Sequence, residues 1–448
     1  MSRYTSITGC RACGSKELTP LFSLGDQYVS NFVTAADMGQ IKLAATVAKA
    51  GVATAATEKI NALFPKVPID IELCRDCTLV QAKHSASLDK LYRERYWYRS
   101  GVTATMRDAL KNVVEAAVAN VDDLVYGDVV LDIGSNDGTL LRYYDEVRID
   151  EFGTKVAKVG VEPAKNLAVE GARGVDIFIS DFWSAEAYFK GSGAMRGPTR
   201  KAKIITACGM FYDMEDPNAF IADVAKVLAP GGVFVAQLMC LRNMLNVGDV
   251  GNLAHEHLEF YSLRSLMLLF EKYGLEIFDL ETNSVNGESY RLYIGHKNDH
   301  VPTFGALARF QDAWNAEKHL SDPATFERFY RGMDLNRLRC REFLLRAKSH
   351  GKRTWILGAS TKGSVICQWY GLDASLIEAA ADRSPEKHGL YTVGTGIPIK
   401  SEEAFRAAKP DFALILPYTF RQEIMERERA HRDHGGKFIV PIPVFEVL

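Results

Sequence analysis

The sequence carries almost no excess of either charge: 54 Lys and Arg against 56 Asp and Glu leave a formal −2 over 448 residues. No basic surface in bulk therefore argues for nucleic acid. No apolar run approaches the roughly 20 residues that span a bilayer, so no membrane partner is expected. The first residues, "MSRYTSITGCRACG", lack the apolar core of a secretory signal, and a cytoplasmic location is expected. Cysteine is sparse. Eight in a chain of this length do not make a disulfide scaffold, and in a reducing compartment they read as thiols or metal ligands. What remains is a globular composition, 47% hydrophobic and 25% charged, with length for about two to four domains. A monomer or small homo-oligomer is expected.

Four of the cysteines form two C-x-x-C pairs, Cys10 with Cys13 in "CRACGS" and Cys74 with Cys77 in "CRDCTL". Two residues between cysteines let one tight turn aim both sulfurs at one centre, and two such knuckles complete a closed tetrahedral site, typical of structural zinc. The alternative is four unrelated thiols or redox pairs. Between the pairs, "LAATVAKAGVATAATEKINALF" is Ala-rich and predicts a helical insertion.

"VYGDVVLDIGSNDGTLLRYYDE" predicts a buried strand at Val129 to Ile133, a turn through Gly134, Ser135, Asn136, Asp137 and Gly138, and a helix from Thr139. Gly134 permits close backbone approach, and Gly138 lets the helix start tightly against the strand. A second strand, "KVGVEP", puts Glu162 at its tip, where a carboxylate can accept both hydroxyls of a ribose. "IFISDFW" puts Asp181 where a base amine could be met. Because the turn is not G-x-G-x-x-G, adenosine without a pyrophosphate fits better than a dinucleotide. "AKIITACGMFYDMEDPNAFIADVAKVLAPGGVFVAQ" predicts a further strand, a helix and a Pro-Gly-Gly turn before another strand. These stretches, in order, resemble the "hhDhGxxxG" motif and following strands of class I S-adenosylmethionine methyltransferases. The resemblance implies a cofactor site of Asp132, Gly134, Asn136, Asp137, Gly138, Glu162, Asp181 and Phe182. A doubly wound domain without cofactor is the plain alternative.

"LAHEHLEFY", Leu253 to Tyr261, packs two histidines and two glutamates into five positions. On a strand, His255, His257 and Glu259 would share one face, as a metal site requires. His257 beside Glu256 is equally the arrangement for a general base, since an imidazole near its unperturbed pKa of about 6.5 suits proton abstraction. Partly satisfied polar residues without chemistry are the third possibility.

Nearer the C-terminus, "RTWILGASTKGSVICQWYG" is again strand, glycine turn and helix, with Gly358, Ser360, Lys362 and Gly363. The strand in "IEAAADRSPEKHG" ends at Asp382, and "GTGIPI" and "FALILPYTF" continue the alternation of a second Rossmann-like domain. Backbone N–H groups at the helix start, with Lys362, suit an anion. "FERFYRGMDLNRLRCREFLLRAKSHG" predicts a long amphipathic connecting helix. The expected organisation is an α/β protein: a zinc-binding segment over 1–90, a doubly wound domain over 91–300, a helical connector over 301–345 and a Rossmann-like domain over 346–448.

The order of four-cysteine segment, "YWYRSGVTATM", methyltransferase core, "HEHLEFYSL", "NGESYRLYI" and "GASTKG" resembles the C-methyltransferases of deoxysugar pathways. These methylate C3 of nucleotide-linked 4-keto-6-deoxysugars. The resemblance covers nearly the whole chain. It implies His257 as base, Glu256 beside it, and Tyr98 and His255 at the active site. It also implies a nucleotide-sugar substrate held by Gly358, Ser360, Lys362, Asp382 and Arg291, with S-adenosyl-L-methionine and structural zinc as cofactors. Where the family often carries Tyr just before "HEH", this chain has Ala254, which removes one hydroxyl from the implied site. Methylation of a sugar hydroxyl or amine, and a non-catalytic sugar-nucleotide-binding role, are the competing functions.

Overall fold

The computed structural model describes residues 4–51, 54–94, 96–121, 124–147, 155–194, 201–285 and 287–448. Leu18–Tyr28 (β1), Lys66–Cys74 (β2) and Val80–Ala82 (β3) form an antiparallel sheet beside the cysteines. The Ala-rich stretch forms two helices, Ala35–Lys49 and Ala55–Leu63, each started by a threonine capping box at Thr34 or Thr54.

The central sheet comprises Val129–Ile133 (β4), Ala157–Val161 (β5), Ile177–Ile179 (β6), Ala202–Cys208 (β7) and Leu228–Met239 (β8). After Glu259–Phe260 (β9), Leu275–Asn283 (β10) and Ser289–His296 (β11) complete it. Its order is β10-β11-β8-β7-β4-β5-β6. The strands from β8 to β6 pair in parallel, whereas β11 pairs antiparallel with β8 and β10. All five residues of β4 are buried, as a parallel strand covered on both faces requires. The chain order reverses between β4 and β7, the switch point outside whose carboxyl ends ligands gather in such sheets. The expected Pro-Gly-Gly turn is absorbed into β8, which already begins at Leu228. Pairing slips between Ala202 and Ile204, and Gly231 supplies the left-handed φ of +60°.

Instead of joining the central sheet, β9 pairs with β3, Glu259 opposite Gln81 and Phe260 opposite Val80. Helices Phe304–Ala316 and Pro323–Ser349 then lead to the C-terminal sheet. Thr354–Leu357 (β12), Ala379–Ala381 (β13), Ile399–Lys400 (β14), Phe412–Ile415 (β15), Lys437–Val440 (β16) and Glu446–Val447 (β17) run in the order β14-β13-β12-β15-β16-β17. All its pairings except β16 with β17 are parallel. One apolar core continues through all three sheets, from Leu73 and Val80 through Phe260 and Phe234 to Ile366 and Leu414. Among the described residues, no helix is long and apolar enough to cross a membrane.

Candidate active site

Three cavities lie at the carboxyl ends of the two parallel sheets, and Tyr96 and Tyr98 of the "YWYRSG" stretch border all of them. The first, of about 390 Å³, is walled by Gly134, Asn136, Glu162, Phe182, Cys208 and Met210, among others. Gly134 has φ +72°, and a Cβ there would stand 3.0 Å from the Met210 side chain. Glu162 is held at the tip of β5 by backbone N–H groups of Asn136, 2.9 Å from one oxygen, and Ala164, 2.8 Å from the other. Each oxygen keeps a second lone pair. Burial raises this carboxyl's pKa, and the two N–H donors oppose the rise.

The remaining residues of the turn have mainly structural partners. Asp132 accepts the Thr206 hydroxyl at 2.6 Å, and burial lifts its pKa to about 7. Asp137 accepts the N–H and hydroxyl of Thr139, and its other oxygen accepts the Gly101 N–H at 2.7 Å. Asn136 accepts the Ser100 N–H at 3.0 Å and donates to the Tyr98 carbonyl at 3.2 Å. Asn136 and Asp137 therefore pin the "YRSG" stretch over the glycine turn. A Cβ on Gly138 would meet the Gly171 carbonyl at 2.9 Å, so the glycine allows close approach to the helix Ala168–Gly171 rather than to the strand. Asp181 departs from expectation. Its side chain is 53% exposed, is absent from the cavity wall and pairs with Arg93 at 2.7 Å, which lowers its pKa. The adjacent Phe182 reaches the cavity, with the Arg93 guanidinium 4.6 Å from its ring centre.

"LAHEHLEFY" is a turn for most of its length. The His257 N–H donates to the Ala254 carbonyl, and only Glu259–Phe260 is strand. The three possible metal ligands consequently diverge. His255 Nε2 meets the Val67 carbonyl at 2.9 Å, His257 Nδ1 meets the Asn252 carbonyl at 2.7 Å, and Glu259 faces Arg11 at 3.6 Å. The shared strand face that the metal reading needs is not formed, because β9 is only two residues long and the turn fans the side chains out. Among the described residues, the four cysteines are the grouping that could hold an ion.

Glu256 and His257 line the second cavity, of about 190 Å³, with Tyr212, Asp213, Gln237 and Lys362. His255 instead backs onto β2. Since the Asn252 carbonyl can only accept, His257 carries its hydrogen on Nδ1 and keeps the Nε2 lone pair. Burial first, then Lys362, lower its pKa to about 3, well below the expected 6.5. Burial raises Glu256 to about 7, against the Thr361 hydroxyl and Lys362. Tyr212 and Asp213 were not among the expected site residues. Their signal was position, just past the carboxyl end of "KIITAC".

The third cavity, of about 220 Å³, is lined by Gly358, Ser360, Asp382, Arg383, Lys387 and Arg427, among others. Gly358 has φ +88°, and a Cβ there would meet Pro417 at 2.7 Å. Ser360 caps the helix Thr361–Tyr370. Asp382 accepts the Ala359 N–H at 2.9 Å and stands 3.2 Å from the Lys387 ammonium. Lys362 does not line this cavity. Its ammonium donates to Asn252 at 2.6 Å and faces Asp249, Glu256 and Asp213, because a buried cation is drawn to buried carboxylates. Arg291, on β11, lies behind the cavities, donating to Gln237 at 3.0 Å and to Asn112 at 2.9 Å. It positions Gln237, which does line the second cavity.

Cys10 and Cys77 place their sulfurs 3.5 Å apart, Cys13 and Cys74 theirs 3.6 Å apart, and all four lie within 4.8 Å. Zn–S bonds of about 2.3 Å put tetrahedral sulfurs roughly 3.8 Å apart, so size and donor set fit that ion. Between two of these cysteines, Arg11 donates to the Ala82 carbonyl and the Ser85 hydroxyl and faces Glu259. The knuckle thus touches the segment that carries His257.

Residues 100–280 match the model of a methyltransferase domain, and residues 284–443 match that of a C-methyltransferase C-terminal domain. The chain is 29% identical to the C-methyltransferase NovU of Streptomyces niveus over 384 residues, 85% of this chain and 87% of that one. Solved structures resemble it distantly. The [4+2]-cyclase SpnF is 14% identical over 46% of this chain and 86% of that one, with a TM-score of 0.32. Magnesium protoporphyrin IX methyltransferase of Synechocystis PCC 6803 is 13% identical over 43% and 79%, with a TM-score of 0.30. The two models matched in tandem name the reaction class, the relative shares most of both chains, and a non-catalytic role is set aside: the protein is an S-adenosylmethionine-dependent C-methyltransferase, similar in sequence to NovU.

Proposed function

We propose that the protein methylates C3 of a nucleotide-linked 4-keto-deoxysugar through an enolate, with His257 as the base. One observation carries the reading. A neutral imidazole keeps its Nε2 lone pair in a cavity that shares Cys208, Gly209 and Asp213 with the cavity around Glu162. S-adenosylmethionine, when bound, supplies an electrophilic methyl group. Glu162 accepts the ribose hydroxyls, Gly134 and Asn136 give backbone close approach, and Phe182 and Met210 flank the base. His257 removes the C3 proton, which the neighbouring ketone acidifies, and Glu256 beside it helps hold the developing imidazolium. Much of the catalysis is positioning, because the methyl donor is already activated. Arg383, Lys387 and Arg427, with the N–H groups at the start of Thr361–Tyr370, suit the nucleotide's phosphates in the third cavity. The four cysteines hold zinc in a closed, structural site.

A second reading of the proton acceptor has its own support. With Glu256 raised to about 7 and His257 lowered to about 3, the carboxylate is the stronger base in the ligand-free site. Mass spectrometry of reactions with a panel of 4-keto and reduced sugar nucleotides tests the substrate. Methylation of the reduced sugars alone would refute C3 chemistry. Solvent deuterium exchange at C3, with S-adenosylhomocysteine bound, tests the base. His257→Ala should lose roughly 10²–10⁴-fold, whereas full exchange in that variant with loss in Glu256→Gln would move the role to Glu256.

A further inference from the structure

Tyr212 lies in the short helical turn Phe211–Asp213, immediately beyond β7. Its ring stands edge-on to His257, with centroids 4.7 Å apart and planes at 79°. Its carbonyl accepts the Leu258 N–H at 2.9 Å, so this turn and the "HEH" turn hold each other. The residue is 4% exposed, and it lines the second cavity. Asp213, Tyr98, Glu256 and Cys208 are the ionisable groups around its hydroxyl. Three of these four, Asp213, Tyr98 and Cys208, also wall the first cavity. The phenol therefore stands at the border between the two cavities, across which a methyl group must pass.

A buried phenolic O–H ordinarily finds a partner. Several neighbouring donors already have theirs: Lys362 with Asn252 at 2.6 Å, Tyr418 with Asp249 at 3.1 Å, and Tyr92 with the Glu256 carbonyl at 3.0 Å. Enolate chemistry needs a donor aimed at the oxygen on which charge develops.

We infer that Tyr212 is a catalytic residue that donates its phenolic hydrogen to the substrate carbonyl oxygen as that oxygen gains enolate charge. The inference rests on the reading of the substrate as a ketone with an adjacent C–H. In the first step the C–H bond breaks, its proton goes to the base, and its electron pair forms the C=C bond while the carbonyl pair moves to oxygen, under the Tyr212 O–H. In the second, the oxygen pair restores C=O, the carbon–methyl bond forms, and the sulfur–methyl bond breaks with its pair staying on sulfur. Nothing is oxidised. Burial, with Asp213 and Glu256 nearby, holds the phenol well above its ordinary pKa, so it remains a donor throughout the working range. It also gives the site a phenol that Ala254 does not.

Tyr212→Phe keeps the ring that packs on His257 and removes only the hydroxyl. With the 4-keto sugar nucleotide that the wild type turns over, kcat and C3 deuterium exchange with S-adenosylhomocysteine bound should fall about 10²–10³-fold. KM and the affinity for both ligands should change less than about threefold, as for an interaction made only with the developing charge. A purely structural ring would leave exchange unchanged, and exchange near the wild-type rate in the folded variant overturns the inference. Wild-type protein inert towards every keto sugar in the panel, in both assays, would overturn the substrate reading as well. An active wild type beside an unimpaired Phe variant would overturn the role of Tyr212 alone.

Discussion

Glu256 and His257 are neighbours in sequence, yet burial moves their proton affinities in opposite directions. An acid buried in low dielectric holds its proton, and a base gives it up. Glu256 at about 7 ionises as pH rises through neutrality, while His257 at about 3 stays neutral over the same range. A working Glu256 carboxylate should therefore give kcat/KM a limb that rises from pH 6 to 8. The limb should vanish in Glu256→Gln, and a flat wild-type profile would count against any role for the ionised form. At the cofactor end, Glu162→Ala removes the acceptor assigned to the ribose. S-adenosylmethionine affinity should drop by about 1–3 kcal/mol in calorimetry, and unchanged affinity in a folded variant would mean that the ribose sits elsewhere. The positions of single residues were legible where they follow from a strand tip, as for Gly134 and Glu162, which line the first cavity. Asp181 and Lys362 were not, because each found a buried or bridging partner, Arg93 or Asn252, that no local spacing reveals.

Among the elements, β9 matters most for the site. It leaves the central sheet to pair with β3, and the Ala82 N–H donates to the Leu258 carbonyl beside it. The cysteine knuckles stand at the other side of this sheet strand, with Arg11 bridging towards Glu259. Purified protein should hold about one zinc per chain by elemental analysis. Cys74→Ser should lose the metal and lower the denaturation midpoint, since metal binding is part of the folding free energy. The β3–β9 pairing predicts that catalysis fails along with it. A fully active, stable Cys74→Ser protein without zinc would refute the structural role. The helical character of the Ala-rich insertion was legible from composition; its division into two helices by the caps at Thr34 and Thr54 was not. The pairing of β9 was not, because two residues of strand carry no periodicity.

At the scale of the whole molecule, one core joins three sheets, and several carboxyl groups are buried with it. Burial raises Asp132 and Glu256 to about 7, and Asp213 and Glu259 well above the usual carboxylate range. A raised acid binds its proton more tightly folded than unfolded. Its contribution is complete below the unfolded pKa of about 4 and is lost as pH rises through the folded value. His255 and His257, lowered to about 4 and 3, work the other way, costing stability as pH falls below about 6.5. Lys362, lowered by burial, also opposes the acids. Between pH 6.5 and 8 the four acids outnumber it. The melting temperature of the zinc-loaded, ligand-free protein should therefore fall across that interval, and a rise would mean that these carboxyls are ionised in the fold.

The strand–glycine–helix units, their acidic tips and the paired cysteines could be read from the sequence because each is a local pattern: alternation, turn chemistry and spacing act within a few residues. From these alone came an α/β protein with two largely parallel sheets, a glycine turn suited to adenosine and a grouping of four sulfurs. Tertiary structure decided how the units meet. It turned "HEH" from a strand face into a fan, sent Lys362 to Asn252 rather than to the third cavity, and set Tyr212 against His257. Those outcomes depend on contacts between residues far apart in the chain and on burial, which shifts Glu256 and His257 by desolvation, and desolvation is a property of the packed core rather than of any short stretch of sequence.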